Sequence, residues 1–411
     1  MMKASRGVLT LVLAGVLVTS LLAGCAGGGA GTSGGSTGGT AASQTMKIGA
    51  VISLTGSYAA LGASQKNVID MEVARINDAG GVNGRKIDVL VQDDNTDAAK
   101  ALTAVTKLVE QDNVLAVMGA SGTGQSMGMR PEIDRAGVPE ISMAGGNAIT
   151  SNFDKLVFQT PWPNKLVVPF VLGWMVRDAA SSTGTAGTHP IIKKVAVLTD
   201  SSGYGKDGLA VITAELPKWH MTMVANETFN PGDTDMTAQL TKIKNSGADA
   251  ILLWTAGAEA ATIAKERVQL GITTPMFGGS GQGRLQFITG AGSAADGVTF
   301  GTGKILVPSS FGTAPNRAVA EDFVARYQAK YGKAPDIFAA HAYDALNIIV
   351  EALKRAGANP TPAAVRDEIE KTSGFVGLDG TFTFSPTDHN GLTSNDLVMY
   401  IITGGKWVLA K

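Results

Sequence analysis

The chain has 411 residues, a formal net charge of -1 and 17% charged side chains. That length suffices for two domains with full cores. The near-neutral balance excludes an electrostatic footprint for nucleic acid or an anionic membrane surface, and the Ala-, Gly- and Val-rich composition excludes a disordered chain.

Lys3 and Arg6 precede an apolar, small-residue run over 7–22 that ends in Leu22-Ala23-Gly24-Cys25. A basic start, a short apolar stretch and small residues before the cut predict an export signal over 1–24, too short to span a bilayer. Leu-Ala-Gly-Cys resembles the bacterial lipobox, which implies cleavage before Cys25 and lipid on it. Cys25 is the only cysteine, so no disulfide is available and stability must come from packed cores. Residues 25–45 are almost wholly Gly, Ser, Thr and Ala, which predicts a flexible tether.

From residue 46 the pattern alternates. A strand over 47–52 precedes a helix carrying Ile69, Val73 and Ile76, stopped by Gly80-Gly81. A second strand over 87–91 leads through the turn at 93–97 into a helix whose apolar face is Leu102, Val105 and Val109. A third apolar run, 114–118, ends in Gly119-Ala120-Ser121-Gly122-Thr123-Gly124, with a short helix expected over 127–135 and a strand over 139–142. Strands alternating with helices predict parallel sheets covered on both faces.

That glycine-rich loop is the candidate binding element. A helix N-terminus leaves N–H groups without intrahelical partners, and these suit a carboxylate or phosphate. Phosphate is disfavoured, because Gln125 stands where a Walker A loop needs lysine and Met127 where a dinucleotide loop needs a third glycine.

After a crossing over 154–163 the alternation restarts. Strands are expected over 195–198, 221–228 and 249–254, helices after Asp200 and over 259–270, and another strand-to-glycine loop at 275–281. A return crossing over 298–301, helices over 316–331, 337–356 and 361–372, a third crossing near 375–380 and strands over 381–384, 397–403 and 406–409 complete the chain.

Leu54-Thr55-Gly56 with Gly62, the block Ile76-Asn77-Asp78-Ala79-Gly80-Gly81-Val82-Asn83-Gly84, Asp93-Asp94, Ser142-Met143-Ala144-Gly145, Tyr204-Gly205, Leu270-Gly271 and Ala342-Tyr343-Asp344-Ala345 are similar to motifs of one family. By these the chain resembles the solute-binding proteins of ABC importers, of the branched-chain amino acid (Leu/Ile/Val) type with the type I periplasmic-binding fold. The resemblance implies an α/β fold of two doubly wound parallel-sheet lobes joined by a three-strand hinge, with lobe 1 as 46–160 and 301–376 and lobe 2 as 161–300 and 377–411. It implies a ligand cleft in which the loops at Ser121, Gly122, Thr123 and at Ala144, Gly145, Gly146 bind a carboxylate, and Tyr204 packs on the ligand. The partners it implies are a permease and an ATPase at the outer face of a bacterial membrane. Neither a metal nor a cofactor is expected, since the four histidines are scattered without ligand spacing.

One departure stands out. The family's acid for a ligand ammonium aligns with Ser280, which offers no counter-charge. Either Glu259, Asp207 or Asp200 substitutes, or the ligand has no ammonium and is an aromatic or des-amino carboxylate, for which Trp254 would line an apolar pocket. A ligand sensor of the same fold is a further alternative. An enzyme is not expected: Ser121 lies in no GxSxG elbow and has no partner histidine nearby.

Overall fold

The computed structural model describes residues 45–151, 155–181 and 192–410. The signal segment over 1–24, Cys25 and nearly all of the tether lie outside the described residues, as do positions 152–154 of the first expected crossing.

The first lobe follows the alternation: β1 Met46–Ile52, α1 Ala59–Asp78, β2 Ile87–Asp93, α2 Ala98–Glu110, β3 Val117–Gly119, α3 Thr123–Ala136, β4 Glu140–Ser142, α4 Ala148–Ser151 and β5 Val157–Gln159. Its sheet runs β2-β1-β3-β4-β5 with every pairing parallel. Asp97 caps α2 by accepting from the Lys100 N–H, worth about 1 kcal/mol. The buried face of α2 is Ala101, Ala104, Val105 and Leu108. Burying Val105 and Leu108 contributes about 1.5–3 kcal/mol apiece. Leu102, expected on that face, is 38% exposed instead. The helical stripe is offset by one position because alanines, which the apolar count passed over, touch the sheet.

The second lobe comprises α5 Asn164–Ser181, β6 Lys194–Asp200, α6 Gly203–Glu215, β7 Thr222–Phe229, α7 Thr237–Asn245, β8 Ala250–Trp254, α8 Glu259–Gln269, β9 Met276–Gly278, α9 Leu285–Ala291 and β10 Thr299–Gly303. Three helices then pack on the first lobe, α10 Asn316–Tyr331, α11 Ile337–Ala356 and α12 Pro362–Glu370, with α11 lying along α1. A small hairpin, β11 Phe375–Val376 and β12 Thr381–Phe382, precedes β13 Leu397–Thr403 and β14 Lys406–Leu409. The second sheet runs β14-β13-β10-β9-β8-β6-β7 and is mixed rather than wholly parallel, since β13 and β14 enter antiparallel.

These pairings move two expected crossings. β10 belongs to the second sheet through Gly303, so the chain returns to the first lobe after that residue and not at 298–301. His389 still lies beside β5, its carbonyl accepting from Gln159 N–H, so the last crossing follows Gly391 and not 375–380. Asn390 ties the first and last crossings together, its amide donating to the carbonyls of Gln159 and Pro161. The parts of the core on the outer sheet faces stay separate, whereas the inner apolar cluster runs continuously from α1 and α11 to β8 through Tyr58, Trp162, Tyr204 and Trp254. That continuity is the cleft.

Candidate functional site

The strand-to-loop stretch ending β3 delivers α3 to the cleft with Gly122 as an extended N-cap that supplies no side-chain bond. The helix starts at Thr123, four residues before the position expected at 127. Its first N–H groups are therefore open toward the cleft.

Ser121 is held rather than free. Its Oγ accepts from Ser53 N–H at 3.0 Å and donates to Gln65 Oε1 at 2.5 Å. Ser126 fixes the loop from below, accepting from Ala120 N–H at 2.9 Å and meeting Ser142 Oγ at 2.7 Å. Thr123 is the opposite case: its Oγ1 is buried with no partner among the described residues. Gln159 reaches the carbonyls of Ala144 and Gly146 at 2.6 and 3.1 Å, which turns that loop so that the amides of Gly145 and Gly146 have no protein partner among the described residues. Gly146 must be glycine, because a Cβ there would lie 2.3 Å from Thr123 Cγ2.

The cavity wall contains Ser121, Gly122, Thr123, Ala144, Gly145, Tyr204 and Ser280 of the expected residues, and omits Gly146 and Trp254. Gly146 backs Thr123. Trp254 lies behind Tyr204, whose ring stacks on it at 6.3 Å and 20°, and its Nε1 donates to Asn164 Oδ1 at 2.9 Å. The space free of protein atoms measures about 420 Å³, counting the part open to solvent. The closed cleft is narrow, sized for a small solute.

Sequence reasoning missed several wall residues. Tyr58 and Leu61 follow the Leu54-Thr55-Gly56 motif, and Phe338 and His341 precede the Ala342-Tyr343-Asp344 motif. Pro161 and Trp162 come from the first crossing, and Met143, Ala256 and Gly281 fill the gaps between loops. Proximity to motifs was the available signal. Burial raises the phenols of Tyr58 and Tyr204 well above their ordinary range, so both are neutral donors.

No side-chain carboxylate lines this cavity. Asp207 Oδ2 accepts from Asn147 N–H at 3.0 Å and from Asn164 Nδ2 at 2.7 Å. Asp200 is buried, and burial raises its carboxyl despite bonds from Ser202 and Thr255. Glu259 Oε1 accepts from Gly232 N–H at 2.5 Å, beneath the buried guanidinium of Arg284. Arg284 itself donates to the carbonyls of Ala256 and Gly257, and burial lowers it to about 10. Among the described residues no group of three or more His, Cys, Asp or Glu side chains is placed to hold a metal, and no helix is long and apolar enough to cross a membrane.

The periplasmic binding protein family model matches residues 45–406. A Leu/Ile/Val-binding protein homolog of Brucella melitensis is 26% identical over 87% of this chain and 92% of its own length. A leucine-, isoleucine-, valine-, threonine- and alanine-binding protein of Pseudomonas aeruginosa is 27% identical over 82% of this chain and 87% of its own. The branched-chain amino acid transporter substrate-binding protein LivJ of Streptococcus pneumoniae, solved with isoleucine, superposes with a TM-score of 0.75 at 30% identity, covering 89% of this chain and 98% of its own. An extracellular ligand-binding receptor from Rhodopseudomonas palustris reaches a TM-score of 0.81 at 24% identity, covering 89% of this chain and all of its own, which speaks to the fold alone. The chain belongs to the periplasmic binding protein family, with two α/β lobes of type I and a solute-binding rather than catalytic family role.

Proposed function

We propose that the protein captures a small carboxylate, first among them a branched-chain amino acid, and delivers it to an ABC importer. The observation that carries this reading is the convergence of open donors on one apolar cavity. Thr123 Oγ1, the uncapped start of α3 and the amide of Gly145 have no protein partner among the described residues, and together they make a seat for an anion. The relatives named for Leu, Ile and Val support the amino-acid choice. A des-amino or aromatic carboxylate is the second reading, favoured by a cavity wall without any carboxylate to meet an ammonium.

A thermal-shift screen separates the two, setting leucine, isoleucine and valine against their 2-oxo acids and benzoate. A true ligand at about a hundred times Kd adds roughly 2.7 kcal/mol. Shifts by the amino acids alone support the first reading, and shifts by the oxo acids or benzoate alone support the second. Stabilisation only by a ligand without a carboxylate would overturn both. The exported protein is anchored through lipid on Cys25, by the lipobox resemblance of its sequence. Labelling with a palmitate analogue should mark the wild type and not Cys25→Ser, and equal label in both would sink the anchor.

A further inference from the structure

His341 and Phe338 stand one turn apart near the start of α11, and both reach the cavity wall. The imidazole is buried, with Nδ1 2.6 Å from Asp379 Oδ2. Asp379 sits on the loop between β11 and β12, fully buried, and its Oδ1 has no partner among the described residues. Its N–H and that of Leu378 donate to the two oxygens of the buried Asp344, each at 2.7 Å. Among the described residues no lysine or arginine pairs with Asp379 or Asp344.

We propose that His341, held by Asp379, is a second polar anchor of the cleft, its Nε2–H donating to a ligand oxygen other than the carboxylate seated at α3. This rests on the carboxylate seat proposed above and, within that reading, sets the des-amino carboxylates ahead of a branched-chain amino acid, whose side chain carries no second acceptor. A carboxylate buried without a cation is too costly to keep its charge alone, so the pair retains one ionisable proton. The proton sits either on the carboxyl, which then donates to Nδ1, or on the ring as imidazolium. In both arrangements Nε2 carries a hydrogen. Burial, with Asp396 nearby, raises the Asp379 carboxyl well above the usual range, and burial lowers the imidazole to about 3; either placement of the proton leaves hydrogen on Nε2.

Nε2 has no hydrogen-bond partner among the described residues, and His341 forms part of the cavity wall. Its neighbours there are ring edges: Trp162 at 6.4 Å and 67°, Phe338 at 5.6 Å and 89°. Asp336, whose charge acts on the imidazole, is occupied by Ser64 Oγ and the Ala339 N–H. A donor left open among ring edges in the cavity wall matches an acceptor on the solute. The ligand class is therefore a small carboxylate bearing a second oxygen acceptor, such as a ketone, an amide carbonyl or a second carboxylate. A ligand with a plain hydrocarbon tail would leave Nε2–H unsatisfied.

Calorimetry on the full chain with pentanoate, 2-oxopentanoate, 4-oxopentanoate, glutarate and isoleucine tests this. At least one of the three probes with a second oxygen should bind about tenfold or more tightly than pentanoate. His341→Leu should erase that preference while pentanoate binding persists, and His341→Gln, which keeps an N–H donor, should restore part of it. If none of the three outbinds pentanoate, if isoleucine alone binds, or if His341→Leu keeps the preference, the proposal is overturned. Thr123→Val separates the two readings: it should weaken every probe, and unchanged binding there would fault the carboxylate seat and not His341. A ligand-independent check uses nitrogen-15 histidine labelling, since the chain holds only four histidines. The His341 resonances at neutral pH should show hydrogen on Nε2, and a bare Nε2 would overturn the donor role even if the variants fail to fold.

Discussion

Two helix N-termini face each other across the cleft, and they are not alike. α3 and α6 each follow a strand that ends in a small-residue loop, and they approach so closely that a Cβ on Gly203 would lie 2.8 Å from Gly124 N. On α6 the end is closed by its own chain: Ser202 Oγ accepts from Gly205 N–H, and Asp200 accepts from Ser202 N–H. On α3 the N-cap is Gly122, with no side chain to give, and the adjacent Thr123 hydroxyl is buried and unpaired among the described residues. The same motif thus serves stability in one lobe and leaves donors for a solute in the other. Most of the wall comes from the first lobe, while the second contributes Tyr204, Ala256, Ser280 and Gly281. On the function proposed here, the solute would sit on the first lobe and the second would close over it, to the extent that the closed state binds it more tightly than the open one.

The sharpest way to break this comparison is a pair of substitutions. Thr123→Val removes a donor the protein itself does not use, so the melting temperature should hardly move. Loss of a hydrogen bond to a charged group costs about 1.5–3 kcal/mol, so Kd should rise roughly 10- to 150-fold by calorimetry. Ser202→Ala should do the reverse, costing about 1 kcal/mol of stability as a lost cap and less than tenfold in affinity. Ser202 also receives the Tyr58 hydroxyl at 3.0 Å across the cleft, which is why some affinity goes with it. If Ser202→Ala weakened binding more than Thr123→Val, the division of labour between the lobes would be wrong.

Much of this was legible in the sequence because it is local. The alternation of strands and helices, the Asp97 cap and the Gly80-Gly81 stop are set by residues within a few positions of each other. The loop at Ser121 was legible for the same reason. Which of its hydroxyls stays open was not, since Ser121 is taken by Gln65, 56 residues earlier in the chain. Trp254 looked like a wall residue at the end of its strand. Its place behind Tyr204 depends on Asn164, 90 residues away. The pairing of His341 with Asp379 spans 38 residues and a crossing of the hairpin, so no periodicity could suggest it. Of the three acids weighed for an ammonium, Asp207 and Glu259 accept from backbone N–H groups 60 and 27 residues away, and Asp200 accepts from the Ser202 N–H beside it and from the Thr255 hydroxyl 55 residues away.

A smaller effect sharpens the comparison at the rim of the cleft. Asp207 belongs to α6, yet its Oδ2 accepts from the Asn147 N–H of the first lobe at 3.0 Å and from Asn164 Nδ2 at 2.7 Å. Asn164 in turn accepts from Trp254 Nε1, on whose ring Tyr204 stacks. One carboxylate therefore joins lobe contact to the floor under the aromatic wall. Asp207 does not line the cavity, so its removal cannot subtract a ligand contact. Asp207→Ala should act on closure instead. It loses one bond that exists only when the lobes meet, and the open state should gain in population by about 1 kcal/mol, weakening affinity roughly three- to tenfold. Because the change works through the conformational equilibrium, every ligand should be weakened by the same factor, unlike the effect of Thr123→Val on carboxylates. Small-angle scattering of the ligand-free variant should give a larger radius of gyration than the wild type, with the two converging at saturation. Selective loss of one ligand class, with unchanged scattering, would place Asp207 in recognition and remove the distinction between a lobe that binds and a lobe that closes.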